Sequence, residues 1–181
     1  MRITVQAIKL CLLLTAVTGL LYPLAMCGVC GGIFPDKATG GIISRDGSPV
    51  GAELIAQNFA GDKYFWPRPS SANYNPMSSG GSNLSLTSAQ LRAAMKTQRD
   101  KFGADAPGDL VFASGSGLDP HISPQSARLQ CARVAKARNA QEVDIISMVE
   151  RCTEPRQFGV LGEPRVNVLK LNMALDERYS K

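Results

Sequence analysis

The strongest signal in the hydropathy pattern lies near the N-terminus. From Leu10 to Pro35 runs a 26-residue stretch with no Asp, Glu, Lys, Arg or His. About 20 helical residues, at about 1.5 Å of rise each, cross a bilayer core. Residues 10–35 are therefore predicted to form one transmembrane helix, after a short tail over residues 1–9. Pro23 and the glycines Gly19, Gly28, Gly31 and Gly32 do not forbid this, because membrane helices tolerate kinks and small residues. Tyr22 would lie near mid-span and Phe34 at the far interface. Arg2 and Lys9 are the charges that precede the span, and positive flanks stay on the cytoplasmic side. Residues 1–9 are thus expected in the cytoplasm and residues 36–181 outside it. A cleaved signal peptide would have an apolar core of about 7–15 residues, and this run continues well past that. A lipoprotein cleavage needs a small residue before a Cys, but Cys27 follows Met26 and Cys30 follows Val29. An uncleaved anchor is the better reading.

Beyond residue 35 the pattern is that of one mixed domain. Ile42 to Arg45 reads as a short strand closed by an Asp46-Gly47 turn. Gly51 to Phe59 reads as a short amphipathic helix, with Leu54, Ile55 and Asn58 along one side. Residues 66–88 are dense in Pro, Ser, Asn and Gly and form a long loop; such a loop, if ordered, is usually functional. Thr87 or Ser88 caps a helix to about Phe102, with Leu91, Ala94, Met95 and Phe102 apolar. Asp109 to Ser114 reads as a buried strand. Ser123-Pro124 opens a helix by a hydroxyl cap followed by Pro at a position where its missing N–H is harmless. That helix carries Ala127, Cys131, Val134 and Ala135 on one face and ends at Asn139. Ile145, Met148, Val149 and Cys152 then recur at helical spacing. Val166 to Leu171 reads as a last strand. The fold class expected is a single N-terminal transmembrane helix plus a mixed α/β (α+β) extracytoplasmic domain with a small sheet.

Composition narrows the functions. Net charge is +5. Arg2 and Lys9 account for two of these charges, so only +3 remains after residue 35. That excess is weak and lacks interleaved aromatics, which argues against a nucleic-acid reader. One His and five scattered Cys argue against a His/Cys zinc site. Cys27-Gly-Val-Cys30 has redox spacing, but an apolar span does not stabilise an accessible thiolate, so packing is the better role. Cys131 and Cys152 fall on apolar helix faces.

No Gly-Lys-Ser/Thr occurs, so there is no Walker phosphate loop. Asp36-Lys-Ala-Thr-Gly40 differs by the inserted Ala38 from the Asp-Lys-Thr-Gly run at which P-type pumps are phosphorylated, and reads as a polar helix exit. Ser114, Asp119 and His121 lie close in sequence. Residues so near in one loop rarely reach relay geometry, and an Asx turn at Asp119 is the better reading. Ser78 to Asn83 would offer backbone groups to an anion or carbonyl, or pack tightly on another backbone. Asn75, Ser79, Gly80, Gly81, Ser82, Asn83 and Asp119 are the binding or interface candidates. No residue is assigned a catalytic or metal-binding role.

Several blocks in order carry a resemblance. They are Glu53-Leu-Ile-Ala-Gln-Asn-Phe59, Tyr64-Phe-Trp-Pro-Arg-Pro-Ser70, Tyr74-Asn-Pro76 and Ser79-Gly-Gly-Ser-Asn-Leu84. Ala113-Ser-Gly-Ser-Gly-Leu-Asp119, Ile122-Ser-Pro-Gln-Ser-Ala127 and Arg133-Val-Ala-Lys-Ala-Arg138 follow, then Leu161-Gly-Glu-Pro-Arg-Val-Asn-Val-Leu169 and Leu171-Asn-Met-Ala-Leu-Asp176. Together with Tyr22-Pro23 in the anchor, this resembles the C subunit of the Kdp potassium-transporting P-type ATPase. The resemblance implies a complex in the bacterial inner membrane. Its expected partners are a channel-like potassium-binding subunit, a P-type pump subunit and a small F peptide. It implies no cofactor in this chain, ATP and potassium being handled by the complex. The implied role is non-catalytic: assembling and stabilising the other subunits and, by the family description, raising the ATP affinity of the pump. The alternative is a stand-alone membrane-anchored extracytoplasmic enzyme or binding module. For the first role, Gly19, Gly28, Gly31 and Gly32 are the expected packing positions of the anchor. The loop residues would lie over the ion entrance, where oxygen ligands suit potassium.

Overall fold

The computed structural model describes residues 2–45 and 47–179. By packing, the chain divides into two units, residues 1–50 and 51–181.

The first unit begins with one long helix. Helix α1 (Arg2–Ala16) passes through a π-helical turn (Val17–Leu21) into α2 (Tyr22–Ile33). The π turn has a local cause. Pro23 has no N–H to give to the Gly19 carbonyl, and the Tyr22 N–H reaches back five residues to the Val17 carbonyl. Thr15 and Thr18 direct their hydroxyls to the carbonyls of Cys11 and Leu14, at 2.8 and 2.7 Å. Residues 2–33 make a 32-residue helix with none of its residues buried and with an 18-residue window of mean hydropathy 2.0, one that could span a membrane by length and composition. The charge-free stretch occupies its C-terminal three quarters. Pro35 ends it, and α3 (Pro35–Ala38) is a single turn. Strands β1 (Ile42–Arg45) and β2 (Ser48–Ala52) then form a two-stranded sheet. Asp46 of the predicted turn lies outside the described residues, while Gly47 has φ +76, a conformation glycine adopts without strain.

In the second unit a short 3-10 turn (Pro76–Ser78) precedes α4 (Ala89–Phe102) and the one-turn α5 (Gly108–Val111). There follow β3 (His121–Ile122), α6 (Pro124–Arg138), α7 (Glu142–Arg151), β4 (Thr153–Glu154), β5 (Arg165–Asn167) and α8 (Val168–Tyr179). The sheet is antiparallel with β5 in the middle: Ile122 and Thr153 both register with Val166. The three C-terminal helices enclose the core of Phe65, Ile122, Cys131, Val134, Ile145, Val149, Val166, Leu171 and Leu175.

Two helix predictions match closely. Ser123 caps α6 by accepting the Ser126 N–H at 3.1 Å, and Asn139 ends it in the left-handed conformation. Ala127, Cys131, Val134 and Ala135 are all buried, as are Ile145, Met148 and Val149 of α7. Ser88 caps α4, accepting from Leu91 at 3.4 Å, but Ala94 of its predicted apolar side is exposed and no residue of α4 is fully buried.

Three predicted elements differ. Residues 51–59 form no helix, because their backbone is used by distant partners. The Glu53 carbonyl accepts from the Asn167 amide at 2.7 Å, and the Ala56 N–H donates to the Leu118 carbonyl at 2.9 Å. Residues 109–114 form no strand. Pro107 starts the turn of α5, and Asp109 turns its carboxylate onto the start of α6, accepting the Ser123 N–H at 2.7 Å and the Ser126 hydroxyl at 2.5 Å. The strand predicted over 166–171 stops at Asn167, whose side-chain oxygen accepts the Lys170 N–H at 3.1 Å and so caps α8.

Candidate functional site

The loop candidates come together with a second loop. The Gly80 N–H donates to the Ser116 carbonyl at 2.9 Å, and the Ser79 hydroxyl donates to the same oxygen at 3.0 Å. Ser71 donates to the Gly80 carbonyl at 2.7 Å and Ser70 to the Gly117 carbonyl at 2.6 Å. The loops before and after α4 are thus pinned backbone to backbone. Glycine is required by this approach: a Cβ on Gly117, at φ +69, would meet the Gly80 oxygen at 2.9 Å, and one on Gly81 would meet the Gly115 oxygen at 3.0 Å. The reading of a tight turn against another backbone therefore describes Ser79–Gly81. Asn75 caps the 3-10 turn by accepting the Met77 N–H at 3.0 Å. Ser82 and Asn83 remain exposed, Asn83 with φ +51.

Asp119 anchors the other loop. It accepts the His121 N–H at 3.0 Å, the Asx turn expected there, and its other oxygen meets the Arg68 guanidinium at 2.9 Å. Burial alone would raise its pKa. The hydrogen bonds from His121 and Arg68, and the Arg68 charge, outweigh this and hold the carboxyl below its ordinary value. The imidazole Nδ1 of His121 is 3.5 Å from Asp119. Ser114 is buried and its oxygen faces the Asp119 N–H at 3.5 Å, so these three residues build a turn rather than a nucleophile–base relay. Arg68, Asp109, Asp119, His121, Glu163 and Arg165 line an open cleft of about 520 Å³. The Nε atoms of Arg68 and Arg165 are buried there without a hydrogen-bond partner among the described residues.

The long loop is fixed to the core by residues that sequence reasoning missed. Gln130 accepts the Trp66 N–H at 2.8 Å and donates to the Trp66 carbonyl at 3.1 Å. The Arg133 guanidinium lies 3.7 Å from the centre of the Trp66 ring and donates to the carbonyls of Asp62 and Tyr64. Trp66 meets Phe102 edge-on at 5.7 Å. The available signal was a polar side chain on an apolar helix face: Gln130 beside Ala127 and Cys131, Asn172 beside Leu171 and Leu175.

Burial pushes the Cys131 thiol up to about 11, with Glu142 adding to the rise, and burial likewise raises Cys152, so both are protonated thiols at neutral pH. Among the described residues no group of three or more His, Cys, Asp or Glu side chains converges as a metal site would. On the long helix, Gly28, Gly31 and Gly32 have nothing within 4 Å of where a Cβ would stand, and Gly19 has only Thr15 at 4.0 Å. Small residues at 28, 31 and 32 leave one face open to close approach.

The class defined by these features is a chain with one helix able to cross a membrane, followed by a mixed α+β domain whose long loops are tied down by glycine contacts. A family described as KdpC, "K+-transporting ATPase, c chain", matches residues 4–177. A "Potassium-transporting ATPase KdpC subunit" of Bradyrhizobium diazoefficiens is 48% identical over 194 aligned positions, covering 97% of this chain and 96% of the relative. Proteins of the same description from Rhodospirillum rubrum and Dechloromonas aromatica are each 49% identical, covering 92% and 94% of this chain and 91% and 94% of the relatives. The chain belongs to the KdpC family and is a component of a potassium-transport complex.

Proposed function

We propose that this chain is a non-catalytic subunit that holds the transport complex together from outside the inner membrane. The observation that carries the reading is the charge placement around the long helix. Arg2 and Lys9 precede a stretch of 26 residues without a charge, and Asp36 and Lys37 after it cancel, so the N-terminus stays in the cytoplasm. The helix packs through Gly19, Gly28, Gly31 and Gly32 on the channel-like subunit, since small residues let backbones approach and pack by van der Waals contact in lipid. The domain lies over the potassium entrance on the periplasmic side, with exposed Ser82 and Asn83 and the half-exposed Asp119 offering oxygens to the partner or the ion path. The pump subunit and the small F peptide complete the assembly.

An effect on ATP affinity is then indirect. The chain has no Gly-Lys-Ser/Thr loop, and its domain is on the side away from ATP. Coupling between distant sites commonly amounts to about 1–3 kcal/mol, enough to change nucleotide affinity without shared contact.

The topology is tested by fusions after Lys181. Alkaline phosphatase there is active in a bacterial host and green fluorescent protein is dark. A fluorescent fusion with silent phosphatase overturns the reading. Nucleotide titration of the purified full chain in detergent gives no saturable binding, whereas micromolar binding lost on mutating Ser79–Asn83 supports a direct nucleotide role instead.

A further inference from the structure

The ion pairs of the second unit are unevenly distributed. Arg128, Arg138 and Arg156 pair with Glu150, Asp176 and Glu163 at 2.6–3.1 Å. By contrast, Arg92, Lys96, Arg99 and Lys101, all on α4, make no ion pair among the described residues, and the helix carries one acid, Asp100. Arg92, Lys96 and Arg99 follow the i, i+4, i+7 spacing, which sets them in one stripe about 10 Å long. They line an open groove of about 400 Å³ together with Met95, Asp100 and Ala104. A different side of the helix holds it to the domain: Leu91, Met95, Gln98 and Phe102 are half-buried, and Phe102 rests against Trp66. The stripe is therefore exposed and without an ion pair among the described residues, three cations against the single carboxylate of Asp100, on a helix seated by the adjoining side that begins at Met95.

We propose that the Arg92–Lys96–Arg99 stripe binds the phosphates of anionic phospholipid headgroups and holds the domain to the bilayer surface. Charge complementarity requires an anionic occupant. A protein partner fits less well, because protein interfaces close around aromatic and apolar side chains that fill pockets. None of the other exposed residues of α4 is aromatic or a large aliphatic, and its one acid, Asp100, lies among them. A lipid surface demands only charge. The tether favours it further. Residues 34–50 join the long helix to the second unit, and 17 residues reach at most about 60 Å when fully extended. Anionic headgroups near the helix are thus at high effective concentration for α4. Each basic side chain near an anionic membrane surface changes affinity about fivefold, so three change it about 100-fold.

Trp66 is the chain's single tryptophan and lies beside α4, which makes it the probe. The full chain is reconstituted in phosphatidylcholine nanodiscs with or without about 30% phosphatidylglycerol, the range in which surface potential is substantial. Each disc carries a trace of dansyl-labelled phosphatidylethanolamine, and energy transfer from Trp66 is measured. Transfer should rise at least about twofold with phosphatidylglycerol and return to the neutral-disc value in about 0.5 M salt, where charges are screened within a few ångströms. The triple variant Arg92→Gln, Lys96→Gln, Arg99→Gln should abolish the rise. Arg92→Lys with Arg99→Lys keeps the charge and should retain it, as should the charge-matched Arg128→Gln, Lys136→Gln, Arg151→Gln control. Equal transfer in both lipids overturns the proposal, and so does equal loss in the control. Displacement by inorganic phosphate but not by chloride at matched ionic strength assigns the stripe to free phosphate and overturns it. A rise seen only in the assembled complex, regardless of lipid charge, assigns it to an acidic protein surface and overturns it as well.

Discussion

The side-chain amide of Asn172 makes to Phe65 both hydrogen bonds that a neighbouring strand would make: it accepts the Phe65 N–H at 2.8 Å and donates to the Phe65 carbonyl at 3.0 Å. Phe65 is buried completely, so no water is available to either group. Gln130 does the same for Trp66 one residue later. Two side chains from different helices thus stand in for a strand, and they hold the start of the long loop on the core without enlarging the sheet.

Asn172→Ala leaves a buried N–H and a buried carbonyl without partners. Each unsatisfied buried group costs about 1–3 kcal/mol, so the variant should lose about 2–6 kcal/mol. Urea unfolding of the full chain in detergent, followed by Trp66 fluorescence, measures it. A loss under about 0.5 kcal/mol would mean that the loop is held by other contacts.

Gly117 and Gly159 both have positive φ, +69 and +77, but only Gly117 would place a Cβ against backbone, at 2.9 Å from the Gly80 oxygen. Gly159→Ala should cost about 1–2 kcal/mol, the left-handed penalty alone. Gly117→Ala adds a clash that separates the two loops and should cost distinctly more. Parallel thermal melts of the two variants decide it; equal shifts would show that the loops part without resistance.

Ser123→Ala removes the α6 cap and should cost about 0.5–2 kcal/mol. Cys131→Asp places a carboxylate on a side chain with no solvent exposure and should cost more, since a buried unpaired charge is among the most destabilising changes. A Cys131→Asp melting temperature at or above that of Ser123→Ala would refute the packing of that face.

Asp119 predicts an acid-side dependence. Its folded pKa is depressed, so its contribution is present above the ordinary carboxylate value near about 4 and is lost as pH falls through the lower folded value. Stability should therefore fall below about pH 4 with a slope that Asp119→Asn reduces. Urea midpoints of the two proteins between about pH 5 and pH 2.5 test it. Parallel slopes would show that the Arg68 and His121 contacts do not survive in solution.

Much of the chain was legible in advance, for reasons internal to short segments. The long helix follows from a charge-free run, α6 from Ser123-Pro124 and its apolar spacing, and α7 from Ile145, Met148 and Val149. The Asx turn at Asp119 is local to three residues. What failed was wherever the deciding partner is remote. Leu54, Ile55 and Asn58 fit one side of a helix, yet Asn167 and Leu118 take the Glu53 and Ala56 backbone groups. The aliphatic run at 166–171 has strand composition, yet Asn167 points its oxygen at Lys170 and begins a helix.

The sequence by itself determined an apolar helix flanked on one side by Arg2 and Lys9, the amphipathic helices α6 and α7, and the ordered series of blocks by which the family is known. Periodicity, caps and charge act over a few residues, so they can be read from the chain. Only tertiary structure decided that Ser79–Gly81 lies backbone to backbone on Ser116–Gly117, that Asn172 and Gln130 serve as strand partners, and that the α4 cations make no ion pair among the described residues. Each of these depends on which distant groups are brought within hydrogen-bonding reach, and chain spacing carries no record of that.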